Sequence, residues 1–206
     1  MRLINPGRCQ RDVVTDFKIP EHALAYFPSP ALTNSGKFVD DAKSCFRIMS
    51  PDRDASRFAS SVRLAENHLY LLEGDRIVWS APVGTGTGFR LEADGRAGEF
   101  DTPRGVFRIQ RKEKDPVWIK PEWAYVKEGK PVPPIDSPER RDEGMLGTSA
   151  LYIGYELALH GTSSPDLVLH PDPEARRVSH GCIRLTNEDA RTLYHLVDVG
   201  TPVMIY

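Results

Sequence analysis

No run of 18 or more apolar residues occurs in the chain, so no segment is read as a helix that crosses a bilayer. The first residues, Met1-Arg2-Leu3-Ile4-Asn5-Pro6-Gly7, also lack the apolar centre of a secretion signal. Two expectations follow: a protein that stays in the cytoplasm, or a mature form already trimmed. Excess basic charge is missing too. The 27 Lys and Arg against 29 Asp and Glu give a net charge of −2, which argues against nucleic acid as a partner. Cysteine is scarce, with Cys9, Cys45 and Cys182 as the full set. An odd number leaves one thiol free, and Cys182 has the most reactive-looking neighbours. A Cys9–Cys45 disulfide and two unpaired thiols stay open as alternatives, and counting free thiols after denaturation separates them. The chain has neither an internal repeat nor a low-complexity tract.

What is present is an ordinary globular composition, 40% hydrophobic and 27% charged over 206 residues, enough to bury a core. Pro6, Pro20, Pro28, Pro30 and Pro51 interrupt every candidate element before about residue 57, apart from one poorly spaced helix at 38–46. Residues 1–58 are therefore read as an extension of unknown function, and 59–206 as the main domain. Alternation at Val62 and Leu64, then Leu69 and Leu71, then from Ile77, predicts a β-meander with turns at Glu66-Asn67 and Glu73-Gly74-Asp75. Val83-Gly84-Thr85-Gly86-Thr87-Gly88 resembles a phosphate loop, but no helix follows it, so these glycines read as a strand end and loop. Thr102-Pro103-Arg104-Gly105 is a turn before a strand at 106–110.

From about 112 to 147 the chain is rich in proline and charge, with Trp118 and Trp123 interspersed. A lid over a binding cleft is the favoured reading, against aromatic side chains that merely anchor a loop. Leu151, Ile153, Tyr155, Leu157 and Leu159 predict one strand with a buried face. Tyr152 and His160 fall on its other face, which suits a cleft. Thr186 with Asp189 predicts a capped helix with Ala190, Leu193, Tyr194 and Val197 on its apolar side, followed by a terminal strand at 203–206.

The chemistry concentrates in Ser179-His180-Gly181-Cys182-Ile183-Arg184. A thiol with a pKa of about 8.5 is a weak nucleophile at neutral pH without a base beside it. His180 stands two residues from Cys182, roughly 6.5–7 Å along an extended strand, which makes direct proton transfer awkward. His160 approaches from another strand without that constraint and is the expected base, with His180 shaping the site. Gly181 permits close backbone approach, and the Gly181 and Cys182 amides are oxyanion candidates. Arg184 shares the alternation of Cys182 and can meet a substrate carboxylate. Two other readings stay open. One is a buried structural cysteine. The other is a zinc site of His160, His180 and Cys182 with His170, for which no ligand spacing speaks.

His160-Gly161-Thr162 followed by Ser179-His180-Gly181-Cys182-Ile183-Arg184-Leu185 resembles the signature of bacterial L,D-transpeptidases of the YkuD type. Residues 161–178 separate the two parts, toward the long end of the usual range. Pro82-Val83-Gly84, Thr102-Pro103-Arg104-Gly105-Val106-Phe107 and Gly200-Thr201-Pro202-Val203 look like further landmarks, and the likeness covers roughly residues 60–206. The resemblance implies a mainly β, sandwich-like catalytic domain with a short helix after the nucleophile and a lid loop. It implies peptidoglycan stem peptides as substrate and no cofactor or metal. Cys182 would form a thioester with release of D-alanine, then pass the acyl group to an amine, giving a 3→3 cross-link or another product. His160 would be the base, oriented by the Gly161 carbonyl. Ser179, His180, Arg184, Tyr152, Trp118 and Trp123 would line the substrate cleft. Carbapenem β-lactams would be inhibitors, and the location would be extracytoplasmic, in periplasm or cell wall. Hydrolysis by water, as a carboxypeptidase or cross-link hydrolase, and a wall-binding module without turnover are the alternatives.

Overall fold

The computed structural model describes residues 57–93, 96–154 and 156–206. Nearly all of the extension, including the helix expected at 38–46 and the Cys9–Cys45 pair, lies outside the described residues. In chain order the first strands are β1 (Ala59–Arg63), β2 (His68–Glu73), β3 (Arg76–Pro82), β4 (Thr85–Gly86), β5 (Arg90–Ala93), β6 (Arg96–Glu99) and β7 (Gly105–Arg108). The middle holds β8 (Arg111–Lys114), β9 (Val117–Ile119), helix α1 (Glu122–Lys127) and β10 (Arg141–Glu143). Then come β11 (Ser149–Gly154), β12 (Leu157–His160), the short α2 (Pro165–Val168), β13 (Arg177–Ser179), β14 (Ile183–Arg184), α3 (Asn187–Leu196) and β15 (Pro202–Ile205).

Two sheets share one core. The first has the order β3-β2-β1-β15-β7 and the second β14-β12-β11-β8. Val62, Leu69, Leu71, Val203 and Ile205 of the first sheet meet Leu151, Ile153, Leu159 and Ile183 of the second, with Ala190 and Leu193 of α3 in the same cluster. Each fully buried Leu or Ile contributes on the order of 2 kcal/mol of transfer free energy, so this cluster dominates the stabilisation. The meander expected from the alternation is present as β1, β2 and β3, paired antiparallel. Helix α3 starts at the expected cap: the Thr186 hydroxyl accepts the Asp189 amide at 3.1 Å and donates to its carboxylate at 2.6 Å.

Three expectations are corrected. The single strand expected across 151–160 is a hairpin, β11 against β12, with Leu151 opposite Leu159. Its turn is made by Gly154 at φ 98 and Glu156 at φ 61. An antiparallel pair keeps the period of two on both arms, so the apolar pattern reads the same whether or not the chain reverses. The segment from 112 does not begin as an irregular loop: Arg111–Lys114 is β8, the edge of the second sheet, paired with β11. An edge strand with an exposed face carries charge without penalty, which hid it from a hydrophobic reading. Beyond it the segment is also regular, since β9 pairs with β10 and α1 lies between them. Its buried Arg140 donates to the Pro133 carbonyl at 2.6 and 3.0 Å, and the Tyr125 hydroxyl donates to the Glu139 carbonyl at 3.0 Å. Finally, the strand expected at 106–110 is β7, which ends at Arg108.

Candidate active site

The register of the second sheet aligns the site. In the parallel β12–β14 pair, Leu159 stands opposite Ile183 and His160 opposite Arg184. Leu159 and Ile183 face the core, so His160 and Arg184 share the other face. Across β11 and β8 that face continues from His160 to Ala150 and Glu113, and in the next row from Ala158 to Tyr152 and Arg111. Cys182, two residues before Arg184, joins the row of Ala158. His160 is thus one diagonal step from the cysteine, a separation that side chains of this size can bridge.

The loop bearing Cys182 is fixed by hydroxyls. Buried Ser179 accepts the Gly181 amide at 3.1 Å and donates to the Cys182 carbonyl at 2.6 Å. Thr102 accepts the Gly86 amide and donates to the Gly181 carbonyl, both at 2.8 Å. Gly181 itself has φ 120, a conformation that side-chain-bearing residues rarely adopt. One oxyanion candidate is therefore already engaged, because the Gly181 amide donates to Ser179. The Cys182 amide is the one left for that role.

Cys182 is half-buried, and its thiol donates to the Glu156 carbonyl at 3.8 Å. Burial pushes the thiol above its ordinary pKa. The Ala158 amide and the Arg184 guanidinium act against that rise, and the Glu156 carboxylate adds to it. His160 is buried at 3% exposure. Its Nδ1 lies 2.6 Å from the Gly161 carbonyl, which can only accept, so Nδ1 carries the proton and Nε2 is the basic nitrogen. Burial pushes His160 down to about 4; the Gly161 and Leu146 carbonyls oppose this and Arg184 reinforces it. The imidazole is neutral at pH 7 and the cysteine is a thiol, so proton transfer between them is uphill at rest.

His180 is engaged by the α1 segment and the loop at Phe100. Its Nε2 lies 2.8 Å from Lys127 Nζ on α1, and its ring packs edge-on to Phe100 at 4.8 Å and against Trp123 at 4.6 Å. Burial, then Lys127, then Arg184 push it down to about 4, so it accepts from the lysine ammonium as a neutral ring. Trp118 of β9 lies 6.5 Å from Trp123, ring centre to ring centre, so both tryptophans belong to one aromatic cluster joining the α1 segment to the cysteine loop. Tyr152 is half-buried beneath the Arg111 guanidinium, 3.7 Å above its ring. Arg184 is half-buried, and its buried Nε has no partner among the described residues. His170 is exposed elsewhere, accepting the Asp172 amide. Among the described residues no three His, Cys, Asp or Glu side chains gather as a metal group would require.

Phe100, Thr102, Lys127 and Glu156 complete the site without having been expected there. Only Thr102 has a signal, its place in Thr-Pro-Arg-Gly, which reads as a turn and as a landmark of the resemblance but not as a contact of the cysteine loop.

A thiol and a neutral histidine held by a backbone carbonyl share one sheet face, an arrangement that suits nucleophilic thiol chemistry. The model of the L,D-transpeptidase catalytic domain, YkuD, matches residues 59–205, and the chain belongs to that family. It is 36% identical over 157 residues to "Probable L,D-transpeptidase ErfK/SrfK" of Salmonella typhimurium, covering 74% of this chain and 45% of that protein. It is 39% identical over 147 residues to "Probable L,D-transpeptidase YbiS" of Escherichia coli, covering 69% and 42%. The chain thus matches less than half the length of these two relatives. The fold is that of the L,D-transpeptidase from Xylanimonas cellulosilytica (TM-score 0.51, 21% identity, 90% of this chain and 76% of that one). It is also that of the L,D-transpeptidase from Mycobacterium smegmatis (TM-score 0.51, 20% identity, 73% and 59%).

Proposed function

We propose that this chain is an active L,D-transpeptidase that acts on peptidoglycan stem peptides. Cys182 attacks the carbonyl between the L-centre of a diamino acid and a terminal D-alanine. His160 takes the thiol proton on Nε2 and delivers it to the departing amine of D-alanine, leaving a thioester. An amine then displaces the sulfur. The Cys182 amide stabilises the oxyanion of each tetrahedral intermediate. Arg184 holds the terminal carboxylate of the donor, and Tyr152, Trp118 and Trp123 line the approach.

The observation that carries this reading is His160 beside Cys182 on one sheet face, with its Nδ1 committed to the Gly161 carbonyl. Arg184 links binding to chemistry. Its positive charge contributes to holding the His160 pKa down, so a carboxylate bound to Arg184 raises the basicity of His160 when substrate is present. The substrate lies outside the cytoplasm, which places the working protein in the periplasm or cell wall. No helix among the described residues is long and apolar enough to cross a membrane.

Incubation with a disaccharide-tetrapeptide tests the proposal. D-alanine release with dimer formation supports transfer, and tripeptide alone supports hydrolysis. No change in the substrate, or turnover that survives in Cys182→Ala, contradicts the reading.

A further inference from the structure

Along β12 the site is charged at both ends. His160 and its partner Arg184 stand at one end, Cys182 lies beside Ala158 in the middle, and Glu156 sits at the turn that starts the strand. Arg184 and Glu156 therefore stand at opposite ends of the row that holds Cys182, and both charges act on its thiol. Glu156 is exposed, and among the described residues no cation pairs with it. Its backbone is already at the sulfur, because its carbonyl accepts the Cys182 thiol at 3.8 Å.

That hydrogen bond disappears when the cysteine is acylated. A thioester has no S–H, so the Glu156 carbonyl is released as an acceptor at the stage when an amine must approach the sulfur-bound carbonyl. A free carboxylate and a newly freed carbonyl on one residue suit a primary ammonium, which has three N–H donors and one positive charge. Resting on the transpeptidase reading above, we propose that Glu156 is the acceptor-docking residue, which binds the ammonium of the second stem peptide and favours transfer over hydrolysis. The ammonium gives one proton to water through the carboxylate, and the free amine attacks. The C–N bond forms as the C–S bond breaks, and the second nitrogen proton reaches sulfur by way of His160, restoring the thiol.

The test compares the full chain with Glu156→Gln and Glu156→Gly. The glycine variant removes the carboxylate while suiting the φ of 61 at this turn, so it keeps the test valid if glutamine folds poorly. Each is given disaccharide-tetrapeptide as donor and tripeptide stem as amine acceptor, and the ratio of dimer to hydrolysed tripeptide is read by mass spectrometry. Acylation by a carbapenem is timed in parallel. Both variants should lower the ratio about fivefold, the size expected of an exposed ion pair, with acylation not slowed, since the lost carboxylate is one that raises the Cys182 pKa. Added salt should lower the ratio in the parent protein and have little effect in the variants. An unchanged ratio, acylation slowed to the same degree, or a parent protein that makes tripeptide alone overturns the docking role. A parent protein that forms no acyl-enzyme overturns instead the reading beneath it.

Discussion

Cys182 and His160 are displaced from their ordinary ionisation in opposite senses, the thiol upward and the imidazole down to about 4, each mainly by burial. A preformed thiolate–imidazolium pair is therefore disfavoured at rest, and in the proposed mechanism His160 takes the proton during attack. This fixes the acid side of the pH profile. Carbapenem acylation, followed by intact mass, should fall only as pH drops through about 4, where His160 gains its proton, and should stay level through the ordinary histidine range near 6.5. His160→Gln should slow acylation by about 10²–10⁴-fold, the usual share of a general base. Both groups were legible in the sequence because a contiguous motif and a strand alternation carry them. Thr102 was not, for its bond to Gly181 spans 79 positions and exists only once β7 and the cysteine loop are packed. Glu156 was hidden for a related reason, since its place beside the sulfur depends on a turn that the unbroken alternation concealed.

The α1 segment acts as an element of its own, fastened to the cysteine loop through His180. Lys127 and Trp123 supply the attachment from the helix side, and Phe100 supplies it from the loop beneath. Neutral His180 accepts from Lys127; protonated, it would face Lys127 and Arg184 as a third cation. Lowering the pH through about 4 should loosen this attachment, seen as a change in tryptophan fluorescence from Trp118 and Trp123. His180→Phe, which keeps the ring packing and cannot take a proton, should abolish that transition while the fold persists. The tryptophans mark this segment out in the sequence, where it reads as a lid. Its internal order did not show, because β9, β10 and α1 are short and stabilised by cross-segment bonds such as those of Arg140.

For the whole molecule, two sheets and α3 bury one core, and that much followed from periodicity in β1 to β3 and α3. The division into a second sheet did not, because β14 is two residues long and β8 carries only charge. Burying two neutral histidines has a cost at low pH. His160 and His180 both have folded pKa values near 4, below the ordinary 6.5 of the unfolded chain. Between these values the unfolded state binds protons that the folded state does not. Stability is thus held above about 6.5 and lost as pH falls toward 4. The melting temperature should decline across that window, and His160→Gln should make the decline shallower.

In the proposed reaction Cys182 is acylated by a stem tetrapeptide with His160 as base. Intact-mass spectrometry of the protein quenched in acid during turnover tests it most directly. The expected species is an adduct of the tetrapeptide less D-alanine on Cys182, absent from Cys182→Ala and much reduced in His160→Gln. D-alanine release without any Cys182 adduct, or an adduct that persists in Cys182→Ala, would contradict it.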